Sequence, residues 1–237
     1  MRAHELIGTM NPDSPLYGLA MASVKFDMGT LDGAVSLAEA SSKSFFEIPA
    51  PICLFQIQDH GQVQWYLAQD VESVGGVLWF VFVKEGGVTS GSKYALLVRR
   101  DGMVNHLRFD HLTYDLKPVL KDEPMVGNES YMSVIGMANA VEVFSCCNVS
   151  TLEHTPPKFT NTKRIAKGKI PFFTYRTLHI TSDSEKTAHQ GVATHASPRL
   201  HLRRGHIRKL PSDRRIWVRA SLVGDKSKGF AAKEYSV

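Results

Sequence analysis

Short apolar segments separated by turn residues dominate the middle of the chain. Residues 52–57 and 63–67 are mostly apolar and flank the polar segment 59–62, which predicts a hairpin with a longer loop. Residues 77–83 are apolar at every position, so this strand is expected to be fully buried. The Asp-Gly pair at 101–102 is typical of a tight turn. The predicted strands are 52–57, 63–67, 77–83, 94–98 and 103–109.

Two segments have the spacing of amphipathic helices. Residues 31–40 and residues 129–145 place apolar side chains at helical intervals. In the second segment, Gly136 costs about 1 kcal/mol relative to alanine, which does not outweigh the pattern. Residues 144–150 are predicted to leave that helix as a strand. The polar, proline-containing residues 111–128 are predicted to form a loop or lid.

The fold class predicted from this pattern is α+β. A run of hairpins indicates antiparallel pairing, because parallel strands need long crossover connections. We therefore expect a mainly antiparallel sheet with one or two helices on one face, and a basic C-terminal portion. Pro156-Pro157 is the clearest boundary, between an acidic, strand-rich portion (1–155) and the basic portion (156–237). One continuous domain is the alternative to two.

The basic portion has its own pattern of elements. Residues 161–169 are rich in lysine and arginine and are predicted to form a short helix or arm. A strand is predicted at 172–180, followed by a polar linker at 181–197. A last strand is predicted at 216–223.

Charge is distributed unevenly along the chain. From Lys158 to Val237, 18 Lys/Arg stand against 5 Asp/Glu, a net charge of +13, whereas residues 1–157 hold 10 against 18, a net charge of −8. Such asymmetry indicates that the basic part contacts nucleic acid or a membrane surface. The alternative is that the acidic part neutralises the basic part within one fold.

Several classes of protein are disfavoured by what the sequence lacks. No apolar run approaches the roughly 20 residues that cross a bilayer, and the N-terminus lacks a signal-peptide pattern, so we expect no membrane association. Cys53, Cys146 and Cys147 cannot all pair, which favours a reducing cytosol with buried thiols. The signatures of phosphate loops, dinucleotide folds and nucleophile elbows are missing, and no cofactor is expected.

The densest positive charge lies in His201-Leu202-Arg203-Arg204-Gly205-His206-Ile207-Arg208 and resumes at residues 214–219. Such a cluster repels itself and needs an anion to face, either carboxylates or phosphates. Arginines clamp phosphates, and aromatic rings among them stack on bases, which favours RNA or single-stranded DNA over duplex DNA. The predicted nucleic-acid-binding residues are Lys163, Arg164, Lys167, Lys169, Tyr175, Arg199, Arg203, Arg204, Arg208, Arg214, Arg215, Trp217 and Arg219.

The enzymatic alternative is a metal-independent ribonuclease. His201 and His206 would act as base and acid, with Arg203 or Arg204 stabilising the phosphate. This hypothesis needs both rings in one cleft, as a turn at Gly205 would allow. In a single strand, residues five apart lie on opposite faces, which counts against it.

A metal site is a weaker alternative. It would use His189, His195, His201 and His206, whose spacings of five or six residues lack the compact pairs of known zinc motifs. Flanking arginines would also repel a divalent cation. We therefore expect no metal.

The C-terminal third also carries a distinct set of motifs. They are Pro156-Pro157, Asn161, Arg164, Gly168-Lys169-x-Pro171, Tyr175, Ser197-Pro198-Arg199-x-His201-x-Arg203-Arg204-Gly205-His206-x-Arg208, Trp217-Val218 and Val223-Gly224. On these motifs, residues 142–237, and more faintly 49–56, resemble a group of uncharacterised phage- and prophage-encoded proteins. The resemblance implies a viral origin, a place in the cytoplasm of a bacterial host, and a role in host takeover or phage replication. It also leaves open an inhibitor that binds an acidic surface of a host protein machine.

Overall fold

The computed structural model describes residues 1–30, 48–59, 62–85, 88–101, 103–110, 113, 115–118, 128–181, 199–203, 206–211, 214–218 and 221–230. The predicted helix at 31–40 lies outside the described residues, as does nearly all of the predicted linker at 181–197.

The largest sheet joins strands from both portions of the chain. Their bounds are β1 Val24–Thr30, β2 Ile52–Asp59, β3 Gln62–Val71, β4 Gly76–Glu85, β5 Val88–Arg99, β6 Val104–Phe109, β7 Leu116–Pro118, β8 Val149–His154 and β9 Tyr175–Ile180. These nine described strands lie in the order β7-β6-β5-β4-β3-β2-β1-β9-β8. β2 to β7 form an antiparallel meander. β1 is parallel to both of its neighbours, β2 and β9.

The mainly antiparallel α+β class is confirmed, and so is the predicted hairpin. β2 and β3 pair without interruption from Ile52↔Gln69 to Asp59↔Gln62. The expectation of a fully buried strand is confirmed for residues 77–82, which are each at most 8% exposed within β4, whereas Val83 is partly buried. An alternating strand would have exposed every second side chain, so β4 must be covered on both sides.

Helices cover both faces of the sheet, whereas the sequence suggested one. Helices α1 (Ala3–Ile7) and α2 (Pro15–Ala22) pack on one face, over Leu54, Trp65 and Phe80. Helix α3 (Asn128–Val141) packs on the other face, over Phe55 and Trp79. Neither N-terminal helix exceeds eight residues, and short segments carry little periodicity for sequence analysis to detect.

Two local predictions differ from the structure. Residues 144–150 were expected to form a strand, but a 3-10 turn, Glu142–Ser145, extends α3 and the strand begins only at Val149. The Ser145 hydroxyl donates to the Glu142 carbonyl at 2.8 Å, which stabilises the turn. The expected loop at 111–128 contains β7, which pairs with β6 although it includes Pro118. Proline is tolerated there because β7 is at the edge of the sheet formed by the described strands.

The basic portion of the chain contributes a strand to the large sheet and packs against both faces of that sheet. Helix α4 (Lys158–Ala166) confirms the predicted basic helix, and the predicted strand at 172–180 is β9, which lies inside the large sheet. The remaining described strands are β10 Arg199–Arg203, β11 His206–Lys209, β12 Arg215–Val218, β13 Ser221–Val223 and β14 Asp225–Phe230. β11 and β12 form a hairpin, and β10 pairs with β13 and β14.

Candidate nucleic-acid interface

Helix α4 is held against the protein by two polar side chains. Asn161 donates its Nδ2 to the Phe172 carbonyl at 2.9 Å and accepts from the Phe172 amide through Oδ1 at 2.8 Å. Arg164 donates Nε to the Ile170 carbonyl at 2.8 Å, and its guanidinium lies 4.0 Å from the centre of the Phe172 ring. The segment that follows α4 packs with Ile170 and Phe173 on the α1 and α2 side of the sheet.

The end of α4 is fixed by a Schellman motif. Gly168 has a φ of +64°, a left-handed conformation that glycine adopts without strain. Its amide donates to the Ile165 carbonyl and the Lys169 amide donates to the Arg164 carbonyl, both at 2.9 Å. This turn keeps Lys167 and Lys169 exposed beside the last turn of the helix.

The outward side of α4 combines lysines with an exposed aromatic ring. Phe159 is 69% exposed, and the Lys163 ammonium lies 4.2 Å from the centre of its ring. The sequence from Lys158 to Ser182 contains no Asp or Glu. We define the α4 surface as Lys158, Phe159, Lys163, Lys167 and Lys169, all of which are exposed. Among the residues the structure describes, none of these lysines has an ion pair with a carboxylate.

The sheet next to α4 also presents aromatic and polar groups. The rings of His154 and Tyr175 stack with centroids 4.8 Å apart, and His154 Nε2 lies 2.9 Å from the Thr177 hydroxyl. Leu152 is on the same side of β8 and is 54% exposed. Only three residues separate His154 from the start of α4, so chain connectivity places the end of β8 close to the first turn of the helix.

A second basic group lies on the β11–β12 hairpin, on the other side of the sheet. Arg208, Lys209 and Arg214 are exposed. Trp217 is only 7% exposed and packs in the α3 core with Ile207. The indole therefore holds the hairpin in place and does not offer a face to a base.

The hairpin is also tied down through Asn148. Its Oδ1 accepts from the Trp217 amide at 2.7 Å, and its Nδ2 donates to the Trp217 carbonyl at 2.8 Å. Arg215 of the hairpin donates Nη1 to the Glu142 carboxylate at 2.6 Å. The Glu142 side chain is 7% exposed, and its burial raises the pKa of the carboxyl despite the arginine.

This ion pair lines an open cleft of about 540 Å³. The other described lining residues are Ile48, Pro49, Val141, Phe144 and Ser145. A volume of this size is within the range of ligand pockets. Sequence analysis missed Glu142, because its partner Arg215 is 73 residues away and no local pattern joins them.

The structure divides the predicted nucleic-acid-binding residues into separate groups. Lys163, Lys167 and Lys169 belong to the α4 surface, whereas Tyr175 lies on β9 and stacks on His154. Arg208 and Arg214 lie on the hairpin, near the other end of β8. Because a strand rises about 3.4 Å per residue, the two ends of β8 are about 17 Å apart, and the hairpin is near one end while α4 follows the other. The side chains of Arg164, Arg215 and Trp217 make the internal contacts described above.

The cationic block is split between two small sheets. Arg199, His201 and Arg203 are in β10, whereas His206 and Arg208 are in β11. Arg204 and Arg219 lie outside the described residues. The two histidines are thus in different strands, and the shared cleft required by the ribonuclease hypothesis stays a prediction.

Two members of the α4 surface were absent from the predicted set. Lys158 and Phe159 lie at the start of the helix. The spacing of Phe159 could have been used to predict its role, because Phe159 and Lys163 are four residues apart and therefore lie on the same side of a helix. Recognising it required knowing that this side faces solvent.

Comparisons with protein-family models, curated proteins and solved structures find no match for the chain. The phage-related resemblance therefore stays a prediction. In the part of the chain that the structure describes, no helix is long and apolar enough to cross a membrane. The same residues include no cluster of three or more His, Cys, Asp or Glu side chains that could hold a metal ion.

Proposed function

We propose that this protein binds single-stranded nucleic acid through the α4 surface. The observation that carries the proposal is Phe159, which is 69% exposed on a helix whose exposed charges are all lysines. An exposed aromatic ring among lysines presents a face on which a base can stack while the lysines contact the phosphates. Bases of a single strand offer their faces to such a ring, whereas those of a duplex are stacked on each other.

The lysines supply the phosphate contacts of the proposed complex. Four lysines that each neutralise a phosphate give a slope of log K against log salt of about −3 for a single strand. Affinity should therefore fall roughly 50-fold between about 50 and about 200 mM salt. His154 and Tyr175 extend the aromatic surface next to α4. We propose that the protein acts in the cytosol of a phage-infected bacterium, where it would take part in host takeover or phage replication.

The first test is a titration with labelled single-stranded RNA, single-stranded DNA and duplex DNA at these two salt concentrations. We expect single strands to bind with the salt dependence above. Binding that does not weaken at the higher salt would exclude the phosphate contacts. The same samples, with chelator present, report RNA breakdown, which is the result that the ribonuclease hypothesis requires of His201 and His206.

Variants of Phe159 separate stacking from apolar contact. Phe159→Ala is expected to weaken binding by roughly 5- to 150-fold, because stacking of one base contributes about 1–3 kcal/mol. Phe159→Leu keeps an apolar side chain but has no ring, so it should lose most of the same affinity. Both variants should unfold at nearly the same denaturant concentration as the wild type, because the ring is exposed. Equal affinity of all three proteins would contradict stacking.

A matched pair of lysine variants tests the location of the surface. Lys163→Gln should reduce the salt slope by about 0.7 and weaken binding to every sequence alike. Lys117 is exposed on β7, at the opposite edge of the sheet, and provides the control. If Lys117→Gln reduces the slope as much as Lys163→Gln does, binding is not centred on α4.

A further inference from the structure

Strand β8 lies at one edge of the large sheet formed by the described strands, where its one neighbour is β9. Ser150, Thr151, Leu152 and Glu153 are all exposed, so neither face of this part of the strand is covered. Leu152 is 54% exposed although its side chain is large and apolar. The outer edge of such a strand presents main-chain donors and acceptors to which a further strand can bind.

The hydrogen bonds between β8 and β9 define which main-chain groups point outward. The Thr181 amide donates to the Asn148 carbonyl at 3.0 Å, and these two residues directly precede the first register position of the two strands. Hydrogen-bonded pairs alternate along an antiparallel ladder, so the even-numbered residues of β8 bond to β9. The N–H and C=O groups of Thr151 and Glu153 therefore point outward. Within the part of the chain that the structure describes, these four groups have no hydrogen-bond partner.

The two edges of the sheet differ in how they are protected. β7, at the other edge, has only three residues, and these include Lys117 and Pro118. Short strands, lysine and proline are common means of blocking an edge. β8 has six residues, contains neither lysine nor proline, and pairs with β9 in one continuous register. β8 is therefore suited to accept a further strand, whereas β7 is not.

The sequence of β8 is complementary to itself in an antiparallel pairing centred on Leu152. In this register, Thr151 of each copy lies opposite Glu153 of the second copy, and four hydrogen bonds use all the outward groups of both strands. Leu152 lies opposite Leu152 of the second copy in a non-hydrogen-bonded pair, where side chains are closest. We propose that β8 pairs with β8 of a second copy of this chain, which joins the two large sheets into one.

The side chains favour this occupant and this register over the alternatives. An unrelated strand could satisfy the main-chain groups, but a second copy also gives the exposed Leu152 an apolar partner and keeps the two Glu153 side chains from facing each other. A register centred on Thr151 would need the Val149 amide, which already donates to the Cys146 carbonyl at 3.1 Å. It would also place Leu152 opposite the hydroxyl of Ser150.

The oligomeric state of the full chain tests the proposal. The measurement is made without nucleic acid, so its outcome does not depend on the α4 surface. A contact of one short strand per copy is smaller than a standard interface, so we expect a dimer that dissociates on dilution. Sedimentation equilibrium should show the average mass rising from that of one chain to that of two as the concentration increases. A single-chain mass that persists at about 1 mM, where even weak complexes form, would overturn the proposal.

Variants of β8 test whether this edge forms the contact. Thr151→Pro removes an outward N–H but keeps the hydrogen bonds to β9, and we expect dimerisation to weaken at least tenfold. Thr151→Val keeps the N–H and is the control, which should dimerise like the wild type. Leu152→Glu places two carboxylates opposite each other and should abolish the dimer. If Thr151→Pro and Leu152→Glu dimerise as strongly as the wild type, the contact lies elsewhere and the proposal is wrong.

Cross-linking gives a readout that does not depend on whether Thr151→Pro folds. In a Cys147→Ser background, Leu152→Cys places two Cα atoms about 4.5 Å apart, within the range of a disulfide. Oxidation should link most of these chains into dimers. Ser150→Cys is the matched control on the same side of the strand, because its Cα atoms would be about 14 Å apart, too far for a disulfide. Linkage that is absent from Leu152→Cys, or equal in both variants, would contradict the proposed register.

Discussion

Lys25 is buried, with only 4% of its surface exposed to solvent. Its ammonium donates to the carbonyls of Met21 and Ser23 at 3.2 and 2.8 Å and lies 4.7 Å from the centre of the Phe173 ring. These carbonyls are at the C-terminal end of α2, where helices have unpaired acceptors. Burial lowers the pKa of Lys25 to about 8.

This pKa predicts how stability depends on pH. Between about pH 8 and about pH 10.5, the folded protein releases the Lys25 proton while the unfolded chain keeps it. The unfolded chain then binds more protons, so the free energy of unfolding rises with pH. From near pH 7 to near pH 9.5, the wild type should gain about 2 kcal/mol relative to Lys25→Met. Denaturant titrations of both proteins measure this gain, and parallel pH profiles would contradict it.

The three cysteines should differ in reactivity. Burial raises the pKa of Cys53 to about 12 and that of Cys146 to about 11. Cys147 is exposed, with Arg214 Nη2 3.4 Å from its sulfur. Because the thiolate is the reactive form, a thiol reagent should modify only Cys147 in the native protein and all three cysteines after unfolding. Cys147→Ser should abolish the native reaction, and modification of Cys53 in the native state would contradict the structure.

Positive charge is visible directly in the sequence, but the environment of each residue is not. Lys163 of α4 was among the predicted contact residues and is exposed, whereas Lys158 was not in the predicted set. Trp217 and Arg215 were predicted to contact nucleic acid, yet one packs in the core and the other pairs with Glu142. The sequence around a charged or aromatic residue is the same whether its side chain is exposed to solvent or packed inside the protein. Only the fold decides which of them contacts solvent.

At the scale of elements, α4 depends on the two hydrogen bonds between Asn161 and the Phe172 main chain. Asn161→Ala removes both, and we expect the free energy of unfolding to fall by about 1–3 kcal/mol. The amides of α4 should exchange with solvent faster, because the helix loses its main attachment. Thr162→Ala, on the exposed side of the same helix, is the control. Unchanged exchange in Asn161→Ala would show that α4 is held elsewhere.

Strand pairings between segments that are close in the sequence were predictable, and pairings between distant segments were not. The β2–β3 hairpin follows from alternation and a turn, both of which lie within 20 residues. The parallel pairing of β1 with β2 and β9 leaves no such signal. The apolar run in β4 predicted burial on both faces, but not which helices provide it.

At the scale of the whole molecule, the charge asymmetry does not correspond to two separate layers. β9 belongs to the basic portion and lies between β1 and β8, while α4 and the β11–β12 hairpin lie on opposite faces of the sheet. The sequence located the positive charge correctly along the chain. It gave no information on how that charge is divided in space, which depends on pairing across more than 100 residues.

The position of β1 has a consequence for how the protein is made. Phe26 pairs with Arg176, 150 residues later in the chain. A ribosome adding about 5–20 residues per second needs roughly 8–30 s to synthesise that interval. Throughout this time β1 has one unpaired edge, and an unpaired edge can recruit a strand from another nascent chain. The newly made polypeptide is therefore most vulnerable to aggregation before β9 leaves the ribosome, and a chaperone that covers β1 until then should raise the yield of folded protein.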